Sequence, residues 1–309
     1  MNVCLITGGG GFLGSHLAKR LLEKGYKVRI LELPQKEYPK LTPFLDKIEL
    51  IKGDFTNPSI IQSAVKDVDF VFHLAYTVLP QNSMEDPAFD LKSNVVGSIQ
   101  LFEECRKQKI KKIIFSSSGG TVYGIPQILP IPETHSTYPL CSYGVTKITI
   151  EKYLNMYHHL YNLDYYVLRG SNFYGGRWDT LRRQGAVDVF LYKVKNKEPI
   201  IIWGDGEVVR DYIYIKDAVE AFILSCEKQT KNKIFNIGDG KGTSLNELLS
   251  LIRDVTGEEF EVRYEQGRPF DVPVNILDIE QAKKELGWQP KTSLQKGILK
   301  VWRHIQKFP

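Results

Sequence analysis

Six short runs of aliphatic and aromatic residues recur through the first 170 positions: 2–7 (N-V-C-L-I-T), 27–31, 48–52, 70–75 (F-V-F-H-L-A), 111–117 and 165–169. They are apolar almost throughout rather than alternating with polar residues, the pattern of strands covered on both faces in a parallel sheet. Between them the period changes. Residues 12–24 repeat apolar positions at helical spacing until Gly25 stops them, residues 90–108 do the same, and another helix opens at Ser142 and runs to Tyr161. Strands alternating with helices predict an α/β fold built on a doubly wound parallel sheet.

After residue 170 the pattern loosens. Residues 175–185 read as a polar loop containing Arg and Gly; helices are predicted at 186–195, 217–228 and 244–256, and short strands at 200–203, 211–215 and 233–237. Trp203 closes an apolar strand and is expected in the core, with a place beside a ligand's base as the alternative. Residues 171–309 should therefore form a smaller α/β part that caps the carboxyl edge of the sheet built by residues 1–170, some later segments returning to the first domain. Ligands would bind in the cleft between them.

Size fits this division, since 309 residues exceed the about 100–200 of one ordinary domain. Hydrophobic residues at 42% and charged residues at 25% match a globular enzyme and exclude a disordered or fibrous chain. No apolar run approaches the roughly 20 residues of a membrane span, and Met1 leads straight into the first strand without a signal peptide, so a cytoplasmic protein is expected. Cys4, Cys105, Cys141 and Cys226 show neither a C-x-x-C pair nor zinc-site spacing, which predicts free thiols and no metal. The net charge of +5 is scattered over Lys-rich pieces at 107–112, 193–197 and 228–233. These read as solvated helix ends and turns and argue against a nucleic-acid partner.

Candidate chemistry begins where the first strand meets Gly8-Gly9-Gly10-Gly11-Phe12-Leu13-Gly14. Glycines at 8, 11 and 14 allow a tight turn, close approach to a pyrophosphate, and packing of helix on strand, with the positive helix end facing the anion. The second strand ends in Glu32, about twenty residues on, where an acid accepts hydrogen bonds from an adenosine ribose and repels a 2′-phosphate. This favours NAD over NADP. Asp54 follows the third strand, placed to hold an adenine amino group, and the small Ala75 follows the fourth. His73 is expected to be a satisfied strand-end histidine.

The fifth strand runs into Ser116-Ser117-Ser118-Gly119-Gly120-Thr121-Val122-Tyr123-Gly124, which puts hydroxyls at the carboxyl end of a central strand. About 25 residues beyond Ser118, Tyr143 and Lys147 stand one helical turn apart on one face. A free phenol titrates near about 10, and a close cation favours its phenolate, so Tyr143 becomes a candidate base for a sugar hydroxyl.

Thr7 to Gly14, His73-Leu74-Ala75, Asn94-Val95-Val96-Gly97, residues 116–124, Tyr143 to Lys147, Arg169-Gly170-Ser171-Asn172, Val209-Arg210-Asp211-Tyr212 and Arg268-Pro269-Phe270-Asp271 extend over nearly the whole chain. In these motifs the sequence resembles the extended short-chain dehydrogenase/reductase family, and within it the nucleotide-sugar epimerases typified by UDP-glucose 4-epimerase. The resemblance implies a Rossmann-type NAD-binding domain followed by a smaller C-terminal substrate-binding domain. Gly8, Gly11, Phe12, Leu13 and Gly14 would cradle the NAD pyrophosphate, Glu32 the ribose, and Asp54 with Phe55 the adenine. Leu74, Ala75 and Asn94 would line the cofactor site. Tyr143 would be the general base, and Lys147 would lower its pKa and bind the nicotinamide ribose. Asn172, Arg210 and Arg268 would hold the diphosphate of a UDP-sugar, and Asp271 its ribose. The competing reading of the two arginines is an ion pair with Asp211 or Asp271.

Family members commonly place the catalytic Ser or Thr four residues before the tyrosine of Val-Tyr-Gly, and here that position is Gly119. Matching the strand end instead gives Ser118, with one extra glycine in the loop; Ser117 and Thr121 are the alternatives. Sugar 4,6-dehydratases resemble one another in an Asp-Glu pair just before Val-Tyr-Gly, and decarboxylases of the family keep a Glu there. This chain has Gly120-Thr121. The resemblance then implies a 4-epimerase of UDP-glucose and UDP-galactose, or of the N-acetylhexosamine or uronic acid equivalents, working through a transient 4-keto sugar and bound NADH. A 4-keto-sugar reductase and a non-catalytic NAD-sensing protein are the alternatives. On the Ser142 helix, Ile150, Tyr153, Leu154, Met156, Tyr157 and Leu160 cover an arc wider than the roughly 100° that one core contact needs, so a homodimer is expected.

Overall fold

The apolar runs form strands. The computed structural model describes residues 2–35, 37–80, 82–176, 185–267 and 272–307. Within them the first half holds strands β1 (Val3–Thr7), β2 (Lys27–Glu32), β3 (Ile48–Lys52), β4 (Phe70–His73), β5 (Lys112–Ser118) and β6 (Tyr165–Gly170), with helices α1 (Phe12–Glu23), α2 (Pro58–Val65), α3 (Pro87–Leu91), α4 (Gly97–Lys107) and α5 (Ser142–Tyr161). The second half holds β7 (Asn172–Tyr174), α6 (Ala186–Lys195), β8 (Ile200–Trp203), β9 (Val209–Tyr214), α7 (Ile215–Glu227), β10 (Ile234–Ile237), β11 (Gly242–Ser244), α8 (Leu245–Thr256), β12 (Val262–Glu265), β13 (Val274–Asn275) and α9 (Leu294–Ile305). Two compact units result. One comprises Met1–Tyr123, Thr137–Arg169 and Val219–Phe235; the other comprises Gly124–Ser136, Gly170–Ala218 and Asn236–Pro309.

The large sheet has the order β3-β2-β1-β4-β5-β6-β10, and its strands run parallel from β3 through to β5. Leu5, Ile6, Ile30, Val71, Phe72, Ile113, Ile114 and Phe115 are all buried, which is why these strands read as unbroken apolar runs. Chain order reverses between β1 and β4, so a crevice opens at their carboxyl ends, the place where doubly wound sheets bind ligands. Gly8 follows β1 at that point with φ +73, and a Cβ there would stand 2.9 Å from the Ala75 backbone.

Helix α1 buries Leu17, Ala18 and Leu21 against the sheet. A Cβ on Gly14 would come within 2.5 Å of the Gly8 carbonyl oxygen, so the absence of a side chain is what lets α1 lie so close to the glycine turn. Helix α5 sends Ile150, Leu154 and Tyr157 into the same core as Phe102, Phe115 and Val167. The single helix expected at 90–108 is interrupted: α3, capped by Asp86 accepting from the Phe89 N–H at 2.9 Å, passes into a π-helical turn, Lys92–Val96, before α4 begins. Such widened turns recur at functional sites. Asn94 sits on this one.

In the second unit β9 is central, pairing with β11, β13 and β7, while β8 and β12 form a separate ladder. Helix α8 starts where Ser244 accepts from the Glu247 N–H and Glu247 accepts from the Ser244 N–H, a reciprocal cap. Helix α9 buries Ile298, Val301, Trp302 and Ile305, one face at the spacing i, i+3, i+4, i+7. Trp203 is 40% exposed, which overturns its placement in the core. It closes β8, paired with Glu265 of β12 in a two-stranded ladder. Among the described residues no helix is long and apolar enough to cross a membrane.

Candidate active site

Tyr143 and Lys147 occupy the first turns of α5, whose backbone opens on an extended Cys141. Lys147 is 2% exposed, and its Nζ donates to the Ser116 carbonyl at 2.7 Å. The ammonium lies 4.2 Å from the centre of the Tyr76 ring, 4.7 Å from Phe115 and 5.5 Å from Tyr143. Aromatic faces and one carbonyl thus stand where water would be. Burial pushes the Lys147 ammonium down to about 7, against the opposing pull of the Glu151 and Asp90 carboxylates. Tyr143 is half-buried, its ring edge-on to Tyr76 with centroids 4.6 Å apart.

The triple serine divides by strand alternation. Ser117 faces α5 and donates to Glu151 Oε1 at 2.5 Å, inside a buried cluster where Arg169 Nη2 bonds Glu151 Oε2 at 2.6 Å and Arg169 Nη1 donates to Tyr123 Oη at 3.0 Å. Ser116 and Ser118 then share the opposite side of β5. Ser118 is half-buried at the strand's end, and its carbonyl accepts the Val122 N–H at 3.1 Å, closing the Gly119-Gly120 turn. The Glu151 cluster thus engages Ser117 and leaves Ser118 outside it. The Thr121 hydroxyl is buried with no hydrogen-bond partner.

Below the crevice, His73 is bonded at both nitrogens. Ser98 Oγ donates to the Asn94 carbonyl at 2.6 Å, so it accepts from His73 Nε2 at 2.8 Å; His73 Nδ1 is then the acceptor for Thr7 Oγ1, also at 2.8 Å. Thr7 Oγ1 in turn accepts the N–H groups of Leu74 and Ala75, each at 3.2 Å. This chain ties the end of β1 to the segment that follows β4 and to the π-helical turn. Burial, with the Lys147 charge assisting, holds His73 neutral and pushes its pKa down to about 3 from an ordinary 6.5. Between those values the unfolded chain holds one more proton than the folded one, so stability falls as pH drops below about 6.5, by about 1.4 kcal/mol per unit. His73→Gln keeps a donor and an acceptor but nothing to titrate. Urea unfolding at pH 4 to 7 should show a shallower acid slope for the variant than for the parent; equal slopes would remove His73 as the cause.

The glycine turn is built around Glu32. Its Oε2 accepts the Gly10 N–H at 2.8 Å and its Oε1 the Leu33 N–H at 3.1 Å. No side chain caps α1 and no acid lies in its first turn. A Cβ at Gly11 would meet only the Gly8 carbonyl, at 3.2 Å, and otherwise open space. Phe12 is buried and Leu13 half-buried at the start of α1. Leu74 and Ala75 are half-buried after β4. Asp54 is exposed, accepting the Thr56 N–H at 2.8 Å, while the Phe55 ring is in the core, edge-on to His73. Asn94 is buried and its amide is engaged within the protein: Oδ1 accepts the Thr77 N–H at 3.0 Å, and Nδ2 donates to Thr77 Oγ1 at 2.8 Å and to Asp90 Oδ1 at 2.9 Å. It holds the Thr77 segment in place.

In the second unit, Asn172 on β7 donates to the Asp211 carbonyl at 3.0 Å, and Arg210 Nη1 donates to the Val272 and Val209 carbonyls at 2.6 and 2.9 Å. Arg210 and Asp211 are neighbours on β9 and point to opposite faces, which rules out their ion pair. The Asp211 carboxylate instead accepts from the N–H groups of Asp239 at 2.7 Å, Gly240 at 3.1 Å and Leu277 at 3.3 Å. Burial pushes its pKa up to about 6 although these three bonds favour the charged form. Arg268 and Asp271, with most of the predicted 175–185 loop, lie outside the described residues.

Residues 4–238 match the model of the NAD dependent epimerase/dehydratase family. The chain belongs to that family. The UDP-glucose 4-epimerase of Mycolicibacterium smegmatis is 35% identical to it over 301 residues, 96% of each chain. The structure is similar to that of a UDP-glucose 4-epimerase with UDP-glucose from Thermotoga maritima, with a TM-score of 0.94, 38% identity and 99% of both chains covered. It is also similar to a Thermus thermophilus UDP-glucose 4-epimerase complex with NAD, with a TM-score of 0.90, 31% identity, and 98% of this chain and 99% of that one covered.

The residues present fit a dinucleotide. A side chain at Gly11 would project into the open space before α1, the helix end faces that space without a cap or an acid, and the Glu32 carboxylate closes the turn from the side of β2. Among the described residues no cluster of His, Cys, Asp or Glu could hold a metal ion. Sequence reasoning gave no role to Tyr76, Asp90, Glu151 or Arg169. Glu151 carried a legible signal, since it follows Lys147 by one helical turn on the same face. Asp90 carried none, because its partners Ser142 and Thr146 lie more than fifty positions away.

Proposed function

We propose that this family member is an NAD-dependent 4-epimerase of UDP-glucose and UDP-galactose. The observation that carries the reading is Tyr143 standing over a buried Lys147 beside the end of β5, with no carboxylate anywhere in the 116–124 loop. An elimination would need an acid-base pair there; proton transfer at one hydroxyl needs only Tyr143. NAD, when bound, supplies the reversible oxidation of the sugar's C4. Tyr143 takes the proton of the 4-hydroxyl as the ketone forms and returns it when the alcohol is restored. Lys147, fixed to the Ser116 carbonyl, stabilises the phenolate, and Ser118 hydrogen-bonds the reacting oxygen. Between the two proton transfers the 4-keto sugar must turn its other face, which requires a firmly held diphosphate and a loosely held sugar.

Gly8, Gly11, Phe12, Leu13 and Gly14 would hold the pyrophosphate of NAD, Glu32 its adenosine ribose, Asp54 and the Phe55 backbone its adenine, and Leu74, Ala75 and Asn94 the wall beneath it. Asn172 and Arg210 would grip the substrate's diphosphate, as arginine's planar fork suits phosphate. Arg268 and Asp271 complete the set on their motif alone. The direct test incubates the purified protein with a panel of UDP-sugars and no added nicotinamide, following anomeric protons by NMR. UDP-glucose and UDP-galactose should interconvert to one equilibrium; no turnover of any UDP-sugar, or turnover only with stoichiometric NADH, would overturn the proposal. Glu32→Ala should lower the preference for NAD over NADP by about tenfold or more, the loss of a charged hydrogen-bond acceptor, as read by competition binding; an unchanged ratio would remove that assignment.

The proposal includes a homodimer working in the cytoplasm, where the free thiols Cys4, Cys105 and Cys226 stay reduced. Val145, Met156 and Leu160 are exposed along one side of α5, while Phe89 and Val96 are exposed on the helical segment packed beside it. Sedimentation velocity at micromolar concentration should give twice the 35.4 kDa chain mass, and Val145→Lys with Leu160→Glu should give the monomer. A monomeric parent protein would end this part.

A further inference from the structure

The least exposed charge near the catalytic pair is Asp90, at 0%. Four side-chain donors converge on its carboxylate: Oδ1 accepts from Tyr76 Oη at 3.0 Å and Asn94 Nδ2 at 2.9 Å, and Oδ2 from Ser142 Oγ at 2.7 Å and Thr146 Oγ1 at 3.2 Å. Ser142 and Thr146 each immediately precede one member of the Tyr143 and Lys147 pair. One helical turn apart, they form a row on α5 rotated by about 100° from the row of the pair itself. Fixing one row fixes the other. Tyr76, held from Asp90 by its hydroxyl, meets the Tyr143 ring with its edge and lies 4.2 Å beneath the Lys147 ammonium, and its Oη is also 3.4 Å from the Tyr143 carbonyl. Asp90 therefore reaches both members of the pair by two independent routes, the helix backbone and the Tyr76 ring.

We propose that Asp90 is a positioning residue for Tyr143 and Lys147: its carboxylate locks the Ser142 and Thr146 side of α5 and the Tyr76 ring around the pair, and its charge helps balance the buried Lys147 ammonium. The groups facing that ammonium are the acids Asp90 and Glu151, the phenols Tyr76 and Tyr143, and the neutral His73. Burial opposes the Lys147 charge, and the two acids support it. Burial also keeps Tyr76 protonated, and so a donor. A satisfied carboxylate with a purely structural part would leave the lysine's titration alone. This role is built on the epimerase reading.

The test compares the full-length parent with Asp90→Asn, which keeps the shape but loses the charge and one of the two acceptor oxygens, and with the pair Ser142→Ala and Thr146→Val, which keeps the charge but not the hydroxyls. Lysines labelled with ¹³C at Cε are titrated by NMR, Lys147 being assigned from its loss in Lys147→Met, and kcat and KM are measured for UDP-glucose. Asp90→Asn should move the Lys147 titration down by about one unit and lower kcat by about tenfold, with the alkaline limb of kcat shifted to lower pH and KM within about twofold. The hydroxyl pair should lower kcat without moving the titration. An unmoved Lys147 titration in Asp90→Asn, or kcat within about twofold of the parent in both variants, would overturn the proposal. A parent protein that turns over no UDP-sugar would fail the epimerase reading, and the lysine titration would still decide the role of Asp90.

Discussion

Tyr143→Phe lowers kcat for UDP-glucose by about 10³-fold, the usual contribution of a positioned general base, while KM changes little. Under the proposed mechanism the loss falls on kcat, because the phenolic oxygen would act on the hydroxyl only as its proton leaves, while Ser118 and the diphosphate contacts would still hold the substrate in the ground state. The ring edge against Tyr76 survives the substitution, so the variant folds and its helix keeps its place. Lys147→Met should follow the same course, because removing the ammonium leaves the Ser116 carbonyl without its donor and the phenol without its cation. Initial rates by anomeric proton NMR check both. A Tyr143→Phe enzyme retaining more than about a tenth of the parent's kcat would show that another group moves the proton.

The second large effect is on stability. Arg169→Met destabilises the fold by about 3–5 kcal/mol, because it strands the Glu151 carboxylate in the core with Ser117 as its remaining donor. Both partners are nearly inaccessible, at 4% and 3% exposure, so water cannot replace the guanidinium. The double variant Arg169→Met with Glu151→Leu should recover much of the loss, since no buried charge is then left unpaired. Urea denaturation of the parent, the single variant and the double variant measures this directly. A single variant within about 1 kcal/mol of the parent would mean that the pair carries little of the fold's stability.

The parts of this architecture written in local patterns were legible from the amino-acid order. Runs such as Phe70–His73 are buried on both faces and announce themselves by unbroken apolarity, and the Gly8 turn is signalled because only glycine tolerates its φ and its contact with Ala75. The one-turn spacing of Tyr143 and Lys147 placed them on one face for the same reason. What escaped depends on distance along the chain. The π-helical turn at Lys92–Val96 follows from the burial of Asn94 against Thr77 and Asp90, which no local periodicity records. The short strands Asn172–Tyr174, Gly242–Ser244 and Val274–Asn275 exist because each pairs with Val209–Tyr214, not because their sequences demand extension. The choice among Ser117, Ser118 and Thr121 was open in the sequence because the Glu151 cluster that engages Ser117 is 34 positions away, a contact no local pattern records.

In the proposed mechanism the hydrogen taken from C4 of the sugar goes back to that carbon on its opposite face while Tyr143 handles the proton. UDP-glucose carrying deuterium at C4, incubated with the purified enzyme without added nicotinamide, tests it in one measurement. The expected product is UDP-galactose with the deuterium still at C4 and no net absorbance at the NADH band. Product that has lost its C4 label, or an NADH signal growing in step with product, would contradict it.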